Sequence, residues 1–290
     1  MPSPISVVTG NYPHTAKLKS TPSFAGATAE FPHIDPVHDA FDDMVRTQKY
    51  DVSEMAIGAF LQAHEARKPL LLLPVVMVGG FHYKSIRVAP DAPPTGPAEL
   101  KGKRIGVRSY SQTTGLWVRG WLSSDYGVTP DSVTWVTTEG SHSDEYHDPA
   151  NVVRTERTLP ADLRSGEISA AILGAGASAD LPPLLPDWES QSRSWYQRYE
   201  TVPINHMITT TREFAEQRPD VLQAVYQSMA DGIAESAAAT ADPAALPSAI
   251  RCGLGNVREA VRLAAAYALE QGLIATAVED IDSLFAIKGE

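Results

Sequence analysis

Short apolar runs and amphipathic stretches alternate along this 290-residue chain in two successive sets. Such alternation restricts the fold to α/β, because each apolar run is buried as a strand beneath the helix that crosses over to the next. In the first set, residues 5–8, 27–31, 51–55 and 70–78 read as strands, and 14–20, 36–48 and 56–67 as helices. The second of these helices sets Val37, Phe41, Met44 and Val45 on one face. A connector rich in Pro, Ala and Gly, residues 90–97, closes the set. In the second set, 104–107, 133–137 and 168–173 read as strands, and 113–125 and 161–165 as helices. Residues 180–199, with Trp188, Trp195, Tyr196 and Tyr199 among prolines and serines, read as an ordered loop. Strand 205–210 and long helices 212–236 and 256–271 complete the chain, with Gly272 ending the last helix and Ala-rich 237–245 forming a loop.

Two sets of this kind predict two doubly wound lobes: residues 1–98 plus 203–290 in one, and 99–202 in the other. Ligands of open α/β sheets bind beyond the carboxyl ends of the strands, which here face a cleft between the lobes. The order of elements resembles the type II periplasmic-binding-protein architecture.

Hydrophobic content of 43% and charged content of 20% are ordinary for a globular protein, and the net charge of −11 argues against nucleic acid or an anionic membrane as partner. A small anionic organic acid therefore needs a local cluster of donors, and a homo-oligomer is compatible with the chain. The longest apolar run, 69–78, is interrupted by Pro74 and too short to span a membrane. Met1-Pro2-Ser3-Pro4 leads into the first strand without the features of a secretory signal, which predicts a cytoplasmic protein. Cys252 is the lone cysteine, so neither an internal disulfide nor a cysteine-built zinc site is expected.

The run from Leu100 to Arg119 is a strand that stops in a hydroxyl-rich turn and starts a helix. The first amides of a helix lack intrahelical acceptors and lie at the positive end of its dipole, so this turn is a candidate anion trap. Ser109, Ser111, Gln112 and Thr113 supply donors, and Arg108 can grip a carboxylate with two parallel hydrogen bonds. His14 and Thr15 add donors from the opposite lobe, while Gly174 and Gly176 permit close approach of a ligand to the backbone. Arg119, two turns into the helix, reads as structural, its stem passing Trp117 and Trp121. Residues 142–148 hold two imidazoles and three carboxylates, but their spacing fits no compact metal motif; a solvated polar loop is expected and no metal.

Several words of the sequence, taken together and in order, resemble the 4,5-dihydroxyphthalate decarboxylase family. They are Tyr50-Asp51-Val52-Ser53-Glu54-Met55-Ala56, Leu100-Lys101-Gly102-Lys103-Arg104-Ile105-Gly106-Val107, Trp117-Val118-Arg119-Gly120-Trp121-Leu122 and Asp125-Tyr126-Gly127-Val128. Pro203-Ile204-Asn205-His206-Met207 and Tyr267-Ala268-Leu269-Glu270-Gln271-Gly272-Leu273-Ile274 with Leu284-Phe285 continue the match. The chain departs from the family at Phe81-His82-Tyr83-Lys84-Ser85, where a basic Phe-Arg-His-Ser stretch is usual, and at Tyr12-Pro13-His14-Thr15, where an Asp-Arg pair is usual.

The resemblance implies decarboxylation of a hydroxylated aromatic acid without a cofactor. Carbon dioxide leaves once the carboxylate-bearing ring carbon is protonated, pushed by an ortho or para hydroxyl, so a general acid must stand over that carbon in a dry cleft. His206 and His82 are the candidates for proton transfer, since both lie at strand edges near the lobe boundary. Glu54, beside Ser53, is the candidate acceptor for the phenolic hydroxyl. Two other readings stay open on the same scaffold: a lyase or dehydratase acting on a chorismate-like acid, and a solute-binding protein that does no chemistry.

Overall fold

The computed structural model describes residues 4–91, 93, 95–174, 179–239 and 245–288. Its strands run in chain order as β1 (Ile5–Val8), β2 (Ser23–Phe24), β3 (Ala27–Glu30), β4 (Val52–Ala56), β5 (Leu70–Gly79), β6 (Ile86–Arg87), β7 (Arg104–Val107), β8 (Thr134–Thr137), β9 (Val152–Arg154), β10 (Ala170–Ile172) and β11 (Ile204–Thr211). The helices are α1 (Ala16–Ser20), α2 (Asp39–Thr47), α3 (Ile57–Glu65), α4 (Thr113–Tyr126), α5 (Leu159–Arg164), α6 (Trp188–Tyr199), α7 (Arg212–Gln217), α8 (Pro219–Ala239) and α9 (Leu254–Glu270).

The strands form two sheets, ordered β2-β3-β1-β4-β11-β5 and β6-β10-β7-β8-β9. In the first, β1 pairs parallel with β3 and β4, and β11 returns antiparallel between β4 and β5. In the second, β10, β7, β8 and β9 run parallel and β6 closes the edge antiparallel. The chain thus enters the second sheet at Ile86, upstream of residue 98, on a strand too short to show a period.

Side chains of successive strand residues point to opposite faces, and the cores follow that alternation. Ile5, Val7, Val75, Met77 and Ile208 pack under α8 residues Val221, Val225 and Met229. Val8, Met55, Leu72 and Met207 belong to a second cluster with α2, α3 and α9, which continues through α4 to Ile105, Val107 and Trp135 of the other sheet. Apolar packing therefore runs unbroken between the lobes. At its middle Gly120 faces Tyr267, where an added Cβ would lie 2.4 Å from the ring, so α4 and α9 approach as closely as they do only because this residue lacks one.

Three sequence expectations are corrected. Residues 188–199 are a helix, not a loop, because Trp188, Ser192, Trp195 and Tyr199 recur at helical spacing. The expected single helix 212–236 is two, since Pro219 forces Arg218 out of the helical region to φ −132° and ψ 50°. Helix α8 also extends to Ala239, into the expected Ala-rich loop, of which residues 240–244 lie outside the described residues. Among the described residues no helix is long and apolar enough to cross a membrane.

Candidate active site

Register across β4 and β11 brings two of the foreseen residues together. Ile208 lies opposite Glu54 and His206 opposite Ala56, so Glu54 and His206 are diagonal neighbours on adjacent strands, within reach of long side chains. Glu54 is 0% exposed. Its Oε1 accepts from His206 Nδ1 at 2.7 Å and from the Tyr12 hydroxyl at 2.9 Å, and its Oε2 accepts from the Gly10 amide at 2.8 Å. Burial first, and then Glu54 beside it, hold the Tyr12 phenol well above its ordinary range, which keeps it a donor. Fully buried behind three donors, the carboxylate has no surface left for a ligand. The expectation that Glu54 receives a substrate phenol is therefore corrected: the phenol it receives is that of Tyr12. Its effect is instead on His206, whose tautomer and ring plane it fixes, leaving Nε2 free. The ring also meets Phe41 edge-on, with centroids 5.2 Å apart.

His206 lines a cavity of about 100 Å³ between the lobes. Arg108, Ser109, Ser111, Gln112 and Thr113 line it too, as the sequence indicated, and they do so because β7 ends there and α4 begins. The N-cap residues of α3 and α4, Ala56 and Gln112, make no side-chain cap, and both helices start at this cavity, where Ala59 and Thr113 are among its walls. The two helix ends touch: the Gly58 amide donates to Thr113 Oγ1 at 3.1 Å, and a Cβ on Gly58 would crowd Ser111 O at 3.1 Å. The Thr113 hydroxyl is thus already taken by Gly58. Ser109 Oγ is similarly engaged, donating to Gly140 O at 2.7 Å with Ser111 Oγ at 2.9 Å. Gln112 Oε1 is buried with no hydrogen-bond partner among the described residues. Arg108 Nη1 stands 3.6 Å from Glu139.

Sequence reasoning missed two imidazoles in the same cavity, His38 and His142. Burial, followed by the nearby Arg108, holds His38 below the usual imidazole range. His142 Nδ1 lies 2.6 Å from Asp42 on α2. Its loop is fastened across the cleft while Asp144, Glu145 and His147 remain exposed. Ser141 Oγ donates to Gln62 at 2.9 Å, Arg46 holds Asp144 at 3.0 Å, and Lys68 holds Glu145 at 2.6 Å. The alternation of charges with Arg46 and Lys68 on α2 and after α3 was the available signal, but it joins residues far apart in the chain. Among the described residues no group of three or more His, Cys, Asp or Glu is placed to hold a metal ion.

The remaining foreseen residues lie elsewhere. His82 and Gly174 line a second, larger cavity of about 560 Å³. Burial pushes the His82 imidazole down to about 4, and its Nε2 lies 2.6 Å from Asn205 Oδ1. His14, Thr15 and Ser53 line neither cavity, which corrects their assignment as donors to a ligand. The turn after β1 packs on α8, where an added Cβ on Gly232 would lie 2.6 Å from His14 O. His14 stacks on Tyr12 with ring centroids 5.1 Å apart, and Thr15 Oγ1 bonds within the turn to Gly10 and Tyr12. Ser53 Oγ donates to the Glu54 carbonyl at 3.0 Å. Gly176 lies outside the described residues.

Among solved structures, the chain is similar to the periplasmic aliphatic sulphonate binding protein SsuA from Escherichia coli, at TM-score 0.59 and 15% identity, covering 98% of each chain. It is also similar to the desulfurization enzyme DSZB in complex with biphenyl-2-sulfinic acid, at TM-score 0.57 and 16% identity, covering 97% of this chain and 96% of that one. These likenesses establish the fold, two α/β lobes of the periplasmic-binding-protein type. No family model matches the chain. Two curated relatives carry the same name, 4,5-dihydroxyphthalate decarboxylase. The one from Comamonas testosteroni is 28% identical over 238 residues, which is 74% of this chain and 70% of the relative. The one from Pseudomonas putida is 31% identical over 185 residues, 58% of this chain and 69% of the relative. With two thirds of that relative covered at this identity, the chain belongs to the 4,5-dihydroxyphthalate decarboxylase family.

Proposed function

We propose that this protein is a carboxy-lyase that removes carbon dioxide from a hydroxylated aromatic carboxylic acid, using no cofactor. The observation that carries the proposal is the buried Glu54, which presents the His206 imidazole to the cavity where α3 and α4 begin.

In this reading the acid group lies against the first amides of α4, with Arg108 at its side, where backbone dipoles and a fixed cation replace its hydration. His206 Nε2–H protonates the ring carbon that bears the carboxylate. Electrons from the ring hydroxyl support that step, and those of the breaking carbon–carboxylate bond then restore the aromatic ring as carbon dioxide leaves. Glu54 holds the imidazole by its Nδ1 and aims Nε2 into the cavity, as an oriented carboxylate does for a histidine that shuttles protons. His38, His142 and the unpartnered Gln112 Oε1 are placed in the cavity to hold the ring hydroxyl. His82 acts through Asn205 rather than on the reacting carbon. The loop that carries His142 walls one side of the cavity and limits its contact with water.

Purified protein incubated with hydroxybenzoates, hydroxyphthalates and heteroaromatic acids tests this, with carbon dioxide and thermal shift read together. At least one hydroxylated aromatic acid is expected both to raise Tm and to release carbon dioxide. Acids that raise Tm and are recovered unchanged would identify a binding protein instead.

A further inference from the structure

The cavity beside His206 has a neighbour more than large enough for a ligand. Pockets for small molecules commonly measure roughly 300–1,000 Å³; the neighbour holds about 560 Å³ and the catalytic cavity about 100 Å³. The two share Thr114, in the first turn of α4, and Asn205, the residue before His206. Asn205 Nδ2 donates to Thr114 Oγ1 at 3.1 Å, while its Oδ1 accepts from His82. One amide side chain therefore forms the wall between the anion-holding end of α4 and the larger space.

The lining of that space has a definite chemistry. Phe81, Trp188, Leu173 and Leu246 make it mainly apolar, and its only fixed charges among the described lining residues are the cations Lys84 and Arg87. No carboxylate lines it among those residues, a local reversal of sign in a chain of net charge −11. Lys84 Nζ sits 4.9 Å from the Trp188 ring centroid. Arg87 donates from Nη1 to Leu181 O at 3.1 Å, and its Nε is buried with no partner among the described residues. His82, held neutral by burial, adds no charge of its own.

We propose that the larger cavity is the distal half of the substrate site, taking a flat apolar extension of the aromatic acid that ends in an anionic group received by Lys84 and Arg87. Aromatic walls select the extension by stacking, and the two cations select its terminal charge. The proposal rests on the decarboxylase reading for which end of the substrate reacts.

The test compares three acids: a hydroxybenzoate, the same acid carrying a phenyl substituent, and the same acid carrying a carboxyphenyl substituent. On the wild-type protein KM is expected to fall from the first to the third by roughly tenfold or more. Leu246→Trp, which fills the cavity from a half-buried position, should raise KM for both extended acids about tenfold and leave kcat/KM for the parent unchanged. Ser248→Phe, at an exposed position on the same wall, serves as a second filling variant should the first lose its fold. Lys84→Glu should weaken the carboxyphenyl acid alone. Equal KM values for the three acids, or filling variants that affect parent and extended acids alike, would overturn the proposal. If no acid is decarboxylated, the catalytic reading has failed, and calorimetric binding of the same acids decides the subsite separately. Tighter binding of the extended acids that Leu246→Trp abolishes supports it, and equal binding refutes it.

Discussion

Replacing His206 with Asn lowers kcat for carbon dioxide release by roughly 10²–10⁴, the range expected for loss of a general acid, while ligand affinity stays within a few fold. The separation of the two effects follows from the geometry. Asn can still donate to Glu54 and occupy the edge of Phe41, so the walls of the cavity persist, but it has no proton to transfer. In the proposed complex the acid group lies at the first turn of α4 and does not sense the change. Carbon dioxide evolution for kcat and isothermal titration for Kd measure both quantities on the same variant. Turnover at the wild-type rate would place the proton donor elsewhere in the cleft.

The largest effect on stability is expected at Arg119. Only 1% exposed, it lies over the rings of Tyr110 and Trp135, at 4.0 and 5.3 Å from its guanidinium carbon to the centroids. Nε donates to Gln271 Oε1 at 2.6 Å and Nη2 to Tyr110 O at 2.6 Å. Gln271 in turn donates to Leu116 O at 2.8 Å, and Tyr110 donates from its hydroxyl to Gln271 O at 3.0 Å. This side chain therefore binds the end of β7, the body of α4 and the end of α9 into one unit. Arg119→Ala would leave two buried acceptors unpaired and an empty space between two aromatic rings, a loss of about 3–5 kcal/mol. Denaturant unfolding should register that loss, and Tm should fall by on the order of 10 °C. A loss under about 1 kcal/mol would mean that the rings and carbonyls repack around the void.

Arg119 also shows where sequence reasoning reached its limit. Its distance into the helix marked it as structural, which agrees with its burial. The rings it passes were expected to be Trp117 and Trp121, its neighbours in sequence, whereas Tyr110 and Trp135 come from the preceding turn and from β8. Helical spacing says which residues share a face, not which elements that face meets. The α/β fold and the start of α4 after a hydroxyl-rich turn were legible because both are local: apolar periods set the strands, and hydroxyl-rich residues before Leu116 mark the helix start. The pairing of Glu54 with His206 depends on β11 inserting between β4 and β5, which no local pattern records. The same holds for His38 and His142, brought together by a loop that crosses the cleft. His14 and Thr15 failed as ligand donors for the converse reason. They sit at the end of a strand, where ligands bind in such sheets, but the chain turns there toward α8.

The central claim is that the substrate's carboxylate rests at the start of α4 with its ring carbon facing His206. A crystal structure of the complex with an aromatic acid lacking the ring hydroxyl, and so unable to react, tests it most directly. The account predicts a carboxylate oxygen within hydrogen-bond distance of the Thr113 or Thr114 amide, and His206 Nε2 over the carbon that bears it. An acid bound with that carbon away from His206, or bound outside the interlobe cleft, would contradict it.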